Sequence, residues 1–172
     1  FKTKGVEKNY NFDKAVLNLK GDIILDGFWQ SYKYFNEYTE IIKKDFTLNN
    51  PSKKVIQLSE EIANKNSVCL HIRRGDYIGN NFHPIVDIEY YKKGLAIIAQ
   101  KSKIDCIYVF DRDDIEWCKN NLKFDYPTVY VENDIRVAES LILMSKCKNL
   151  VLANSSYSWW GAFLSENPDK IV

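Results

Sequence analysis

From Ser67 onward the chain repeats one pattern four times: a short apolar run, then a stretch with helical spacing. SVCLHI (67–72) precedes DIEYYKKGLAIIAQ (87–100), in which Ile88, Tyr91, Leu95 and Ile98 share a face. CIYVF (106–110) precedes DDIEWCKNNL (113–122), and PTVYV (127–131) precedes RVAESLILMSKC (136–147), with Val137, Leu141 and Met144 in one row. NLVLA (149–153) precedes SYSWWGAFLS (156–165). Strands joined by helical crossovers run parallel, and short apolar strands need cover on both faces. The pattern predicts an α/β fold, a Rossmann-like parallel sheet with helices on both faces. Lys170–Val172 reads as the start of one more strand.

Residues 1–50 read differently, being rich in Tyr, Phe, Asn and Lys. DIILDGFWQSYKYF (22–35) reads as a short strand, a turn at Gly27 and an aromatic stretch entering a helix, which NEYTEIIKKDF (36–46) continues. NNPSKK (49–54) is turn chemistry with Asn-Pro as the breaker, and a helix follows over about 52–64. The expected division is an N-terminal segment or interdomain region, 1–50, and a Rossmann-like domain, 51–172. The start at Phe1 and the stop inside an incipient strand lead to the expectation of a piece of a longer protein.

Charge narrows the function classes. The 24 Lys and Arg residues nearly cancel the 23 Asp and Glu, so the chain has no global field for nucleic acid or anionic lipid. Any anion site must be local. The four cysteines, Cys69, Cys106, Cys118 and Cys147, form no C-x-x-C pair and sit in strand or helix interiors. They read as small buried hydrophobes of a reduced, cytoplasmic chain. With two histidines, no zinc spacing arises. No apolar run reaches the ~18 residues of a membrane span, and no signal peptide is visible.

Ligands of such sheets bind beyond the carboxyl ends of the strands, and three loops there carry chemistry. In HIRRGDY, His71, Arg73 and Arg74 lie where strand becomes loop, and Asp76 can orient one arginine. Guanidinium offers a planar fork of donors that fits phosphate oxygens and keeps its charge when partly desolvated. A surface Arg–Asp pair is the plainer reading. In LANSSYSWWGAFL (152–164), Asn154, Ser155 and Ser156 stand between a strand and a helix, where they cap it or cradle an anion. Trp159 and Trp160 point apart on that helix, so one can be core while the other faces a sugar or a neighbouring domain. In FDRDD (110–114), Asp111 closes a strand and can accept from a nucleobase or a ribose hydroxyl, while Asp113 and Asp114 open a helix. Glu139, early in its helix, is a candidate for the same cleft or for a solvated face. Together these loops suit a nucleoside diphosphate or nucleotide sugar.

HIRRGDY, followed some 80 residues later by LMSKCKNLVLANSSYSWWGAFL, resembles glycosyltransferase family 11, the bacterial-type alpha-1,2-fucosyltransferases. DGFWQSYKYF and FDRDDIEWCKNNL are similar to two further segments of that family, and the likeness spans about residues 20–172. The resemblance implies the donor-binding half of a GT-B-like enzyme. Such an enzyme moves L-fucose from GDP-fucose to the 2-hydroxyl of a galactose-containing glycan with inversion, without metal or other cofactor. It implies Arg73 and Arg74 on the diphosphate, with His71, Asp76 and Tyr77 completing their loop. Asn154, Ser155 and Ser156 would lie beside the phosphates and fucose, with Trp159 and Asp111 as further donor contacts. Glu139, Asp111 and a carboxylate of the missing half are all candidates for the base. A role in surface polysaccharide would place the protein in the cytoplasm, or peripherally at the inner membrane.

Three features depart from the family pattern. The glycine-rich G-G-L-G-N-Q opening is absent, as in a chain lacking the first domain. Glu139-Ser140-Leu141 stands where Glu-Asp-Leu is common, and Arg112 stands where serine is commoner. The alternative class is a non-catalytic module that holds a nucleotide or glycan without turnover.

Overall fold

The computed structural model describes residues 3–172. The chain parts into two compact units between Asp45 and Phe46. In the first, β1 (Thr3–Val6) and β2 (Ile23–Asp26) pair in parallel, Val6 opposite Asp26. Gly27 follows at φ +153°, where an added Cβ would lie 2.4 Å from the Cβ of Glu7. The aromatic stretch then runs as two 3-10 turns, Tyr32–Tyr34 and Asn36–Tyr38, before α1 (Thr39–Asp45). The expected continuous helix is interrupted because Phe35 sits at φ −133°, ψ 15°, outside helical space.

The second unit opens with α2 (Lys53–Ala63), which Ser52 caps by accepting from the Val55 amide at 3.3 Å. The alternation read from the sequence follows: β3 (Ser67–His71), α3 (Ile88–Ala99), β4 (Cys106–Phe110), α4 (Ile115–Asn121), β5 (Thr128–Tyr130), α5 (Val137–Lys146), β6 (Asn149–Val151) and α6 (Ser156–Leu164). The four strands form one parallel sheet in the order β5-β4-β3-β6.

Strand parity sorts the core into two layers. Val68, Leu70, Ile107, Val109 and Val151 face one way and pack under Tyr91, Leu95 and Ile98 of α3 and Ile115 and Cys118 of α4. Cys69, Cys106, Tyr108, Phe110 and Leu150 face the other, under Val55 and Ile62 of α2, Leu143 and Met144 of α5 and Ala162 of α6. Helices therefore cover both faces, and the unit is Rossmann-like. Each fully buried Ile or Leu here contributes roughly 1.5–3 kcal/mol. All four cysteines are free and buried in these layers.

Lys170–Val172 departs from expectation. Leu150 donates its N–H to the Ile171 carbonyl at 2.9 Å, and the Ile171 N–H goes to the Asn149 side chain at 2.9 Å. The segment runs beside β6 without forming a ladder. Among the described residues no helix is long and apolar enough to cross a membrane.

Topology places the site. The chain steps from β3 to β4 to β5 on one side, then crosses back to lay β6 on the other side of β3. Loops leaving β3 and β6 therefore diverge, which opens a crevice at the strands' carboxyl ends.

Candidate functional site

A cleft of about 350 Å³ occupies that crevice, and the loops after β3, β4, β5 and β6 line it. From β3 come His71, Arg73, Asp76, Tyr77 and His83; from β4, Phe110, Asp111 and Arg112; from β5, Val131, Glu132 and Asn133; from the start of α6, Ser155, Ser156 and Tyr157.

His71 shares the parity of Cys69, so its ring turns toward α6 and meets Tyr157 at 5.5 Å between centroids. It is 4% exposed, and its Nδ1 has no hydrogen-bond partner. Burial, with the nearby Arg73 charge, pushes its pKa down to about 3, so the ring is neutral at ordinary pH. Asp111, 5% exposed, shows the same incompleteness. Its Oδ1 accepts the Asp113 and Asp114 amides at 2.7 and 2.6 Å, while Oδ2 has no partner. Burial raises its pKa against the pull of those two amides. An unpaired buried polar atom costs about 1–3 kcal/mol. Two of them on one cleft wall mark a surface shaped for a ligand's donors.

The adjacent arginines have opposite fates. Arg73 lines the cleft, with Nη2 2.8 Å from Asp76 and Nη1 3.6 Å from Asp113, and its guanidinium lies 5.5 Å from the Tyr77 ring centroid. Gly75 makes this possible, since a Cβ there would sit 2.2 Å from Asp113 Oδ2. The loop is also pinned across the cleft, because Tyr77 donates its hydroxyl to the Asn154 carbonyl at 2.8 Å. Arg74 turns away from the cleft lining. Its guanidinium stacks 3.6 Å from the Trp117 ring centroid, and Nε donates to Asp114 at 3.0 Å. It braces the loop on α4.

The structure places Glu139 elsewhere too. It is the third residue of α5, 3% exposed, and its carboxylate accepts the Arg136 amide at 2.9 Å, the Arg136 guanidinium at 2.8 Å and the Ser52 amide at 3.4 Å. The Arg136 side chain, then its backbone, pulls the Glu139 pKa down to about 2. This carboxylate closes the helix start and is absent from the cleft lining. Glu139→Ala should lower Tm by roughly 2–4 °C while donor affinity persists. Thermal melts beside nucleotide titrations check this, and loss of binding in a folded variant would return Glu139 to the cleft.

At α6, Ser155 is the N-cap residue but makes no side-chain cap bond; its amide donates to the Ala153 carbonyl at 2.8 Å, and its hydroxyl, with the hydroxyl and amide of Ser156, is left to the cleft. Asn154 is exposed and contributes its carbonyl to Tyr77 rather than a side chain to the lining. Trp159 lies outside the lining, stacked on Phe163 at 5.1 Å and edge-on to Trp160 at 5.3 Å. His83, Ser140 and Tyr157 line the cleft and escape sequence reasoning. For Tyr157 a signal exists, as the residue after the Ser155-Ser156 pair. His83 sits in an aperiodic loop and stacks on Tyr77 at 5.2 Å. Among the described residues, no three His, Cys, Asp or Glu side chains gather so as to hold a metal ion.

Comparison with known proteins gives the family and the fold. Residues 10–171 match glycosyl transferase family 11. The chain is 35% identical to the O-antigen biosynthesis glycosyltransferase WbnK of Escherichia coli, over 96% of this chain and 58% of that protein. It is 36% identical to an Escherichia coli alpha-1,2-colitosyltransferase, over 94% and 58%. A galactoside 2-alpha-L-fucosyltransferase of Caenorhabditis elegans is 25% identical over 87% of this chain and 44% of that one. The chain thus spans 58% of the length of the two bacterial relatives. Among solved structures, POFUT1 in complex with GDP shares the fold, with a TM-score of 0.53 at 11% identity, over 87% of this chain and 53% of that one. With a match running from the first aromatic segment to the strand-like end beside β6, the chain belongs to glycosyl transferase family 11.

Proposed function

We propose that this chain carries the donor site of a galactoside alpha-1,2-fucosyltransferase, which moves L-fucose from GDP-fucose to the 2-hydroxyl of a galactose-containing glycan with inversion. One observation carries the reading. A single cleft brings together Arg73, the uncapped start of α6, and two buried polar atoms, His71 Nδ1 and Asp111 Oδ2, that lack partners. The basic and amide groups suit a diphosphate, and the orphaned atoms suit polar hydrogens of the bound substrates. The family relatives and the GDP held by POFUT1 support this choice of ligand.

Inverting transfer needs no covalent step on the protein. The acceptor hydroxyl attacks the anomeric carbon as its bond to the β-phosphate oxygen breaks, and negative charge grows on GDP. Arg73, held by Asp76 and Asp113, meets that charge without reorganising, and no metal is needed to take it. With Glu139 committed to its helix, Asp111, whose buried Oδ2 has no partner, is the cleft carboxylate assigned to take the hydroxyl proton.

A second donor has its own support: the relative at 36% identity is named for colitose, which is fucose lacking the 3-hydroxyl. Calorimetric titration of the intact protein with GDP and GDP-fucose tests the donor site, with micromolar binding expected. Transfer to a galactoside, read by NMR of the linkage, tests the reaction. Absence of GDP binding sinks the reading, binding without transfer favours a non-catalytic module, and turnover only with GDP-colitose reassigns the sugar.

A further inference from the structure

The charged residues lining the cleft are Arg73, Arg112, Asp76, Asp111 and Glu132, so the lining carries no excess of cations for a diphosphate. Most of these charges are already answered. Arg73 lies between Asp76 and Asp113, and Glu132 accepts Lys119 at 2.9 Å.

Arg112 is the exception. It is flanked in sequence by Asp111, Asp113 and Asp114, and a run of three acids around one arginine reads as neutralised. The fold undoes that reading. Asp111 Oδ1 takes two backbone amides, Asp113 turns to Arg73, and Asp114 turns to Arg74. Among the described residues Arg112 makes no ion pair, and it is exposed at the wall of the cleft that His71, Ser155, Ser156 and Tyr157 also line. It thus lines the same cleft as the uncapped start of α6 and the unpartnered Nδ1 of His71, which is 4% exposed.

We propose that Arg112, not Arg74, is the second cation that meets the donor's diphosphate, working from the β4 loop of the cleft that Arg73 also lines. This rests on the donor-site reading above. Arg112, free of any ion pair, brings its full charge and its fork of donors to a second face of the anion, beside the preorganised Arg73. Arg74, stacked on Trp117 and bonded to Asp114, is spent on the frame.

The test is calorimetric titration of the intact protein, wild type, Arg112→Ala and Arg112→Lys, with GDP and with guanosine. Arg112→Ala should weaken GDP about 10- to 100-fold and leave guanosine within about twofold, because only GDP carries phosphate. Arg112→Lys should recover part of the loss, and added salt should weaken GDP less in Arg112→Ala than in wild type. Unchanged GDP affinity in Arg112→Ala overturns the role of Arg112 and leaves the donor site standing. Equal losses for GDP and guanosine overturn it in favour of a structural effect. A wild type that binds no GDP removes the donor-site reading, and this proposal with it.

Discussion

Replacing Arg73 by alanine should lower kcat for fucosyl transfer by about 10²- to 10³-fold, the cost of removing one preorganised donor from a developing oxyanion. The acceptor KM should change little, because Arg73 lies among the groups assigned to the donor. Its guanidinium is fixed on three sides, by Asp76 at 2.8 Å, Asp113 at 3.6 Å and the Tyr77 ring at 5.5 Å. Such a group meets charge in the transition state without first being ordered. Arg73→Lys keeps the charge and loses the fork, so it should recover part of kcat. Steady-state kinetics on the intact protein decide the matter: near-normal kcat in Arg73→Ala would remove this residue from the reaction.

Acid should destabilise the fold well before its carboxylates titrate. His71 is neutral in the folded state, with its pKa lowered from 6.5 to about 3 by burial and by Arg73. The unfolded chain takes up that proton once pH falls below 6.5, while the folded chain refuses it until about 3. Stability is therefore full above 6.5 and is lost as pH falls toward 3, at about 1.4 kcal/mol per pH unit. From pH 6.5 to about pH 5 the loss is roughly 2 kcal/mol. Asp111 acts in the opposite sense, since its raised pKa lets the folded state bind a proton first and offsets part of the loss at lower pH. Glu139, held down to about 2, contributes stability that is full above its unfolded value of 4.5 and is lost as pH falls from there toward 2. Denaturant unfolding at pH 7 and pH 5 should show the drop in wild type and a flatter response in His71→Asn. A variant with the same acid slope as wild type would clear His71 of responsibility.

The frame was legible because period is a backbone property. Successive apolar residues of β3 and β4 face alternate layers whatever the loops do, so Val68 and Cys69 could be assigned to a sheet without knowing their neighbours. Side-chain direction at the ends of elements was not legible. Arg73 and Arg74 are equivalent as letters, and only the arrival of Trp117 and Asp114 from 40 or more residues away takes one of them out of the cleft. Glu139 could be placed on a helix but not turned, because the Ser52 amide that it accepts is 87 residues distant. The aromatic stretch after Gly27 has helical composition, yet a single residue at φ −133° divides it into 3-10 turns. Periodicity cannot report such a break.

The position of β6 sets an order of assembly. β3 pairs with β4 and then, through contacts as far apart as Ser67 and Lys148, 81 residues in sequence, with the strand that introduces Ser155 and Ser156. Pairings of such separation pay their loop-closure entropy before they return any contact. A chain growing from its N-terminus has Arg73 long before it has the opposite wall. Nucleotide can therefore reward the finished cleft but cannot seed it, and bound donor should prolong the life of the folded state rather than hasten its arrival.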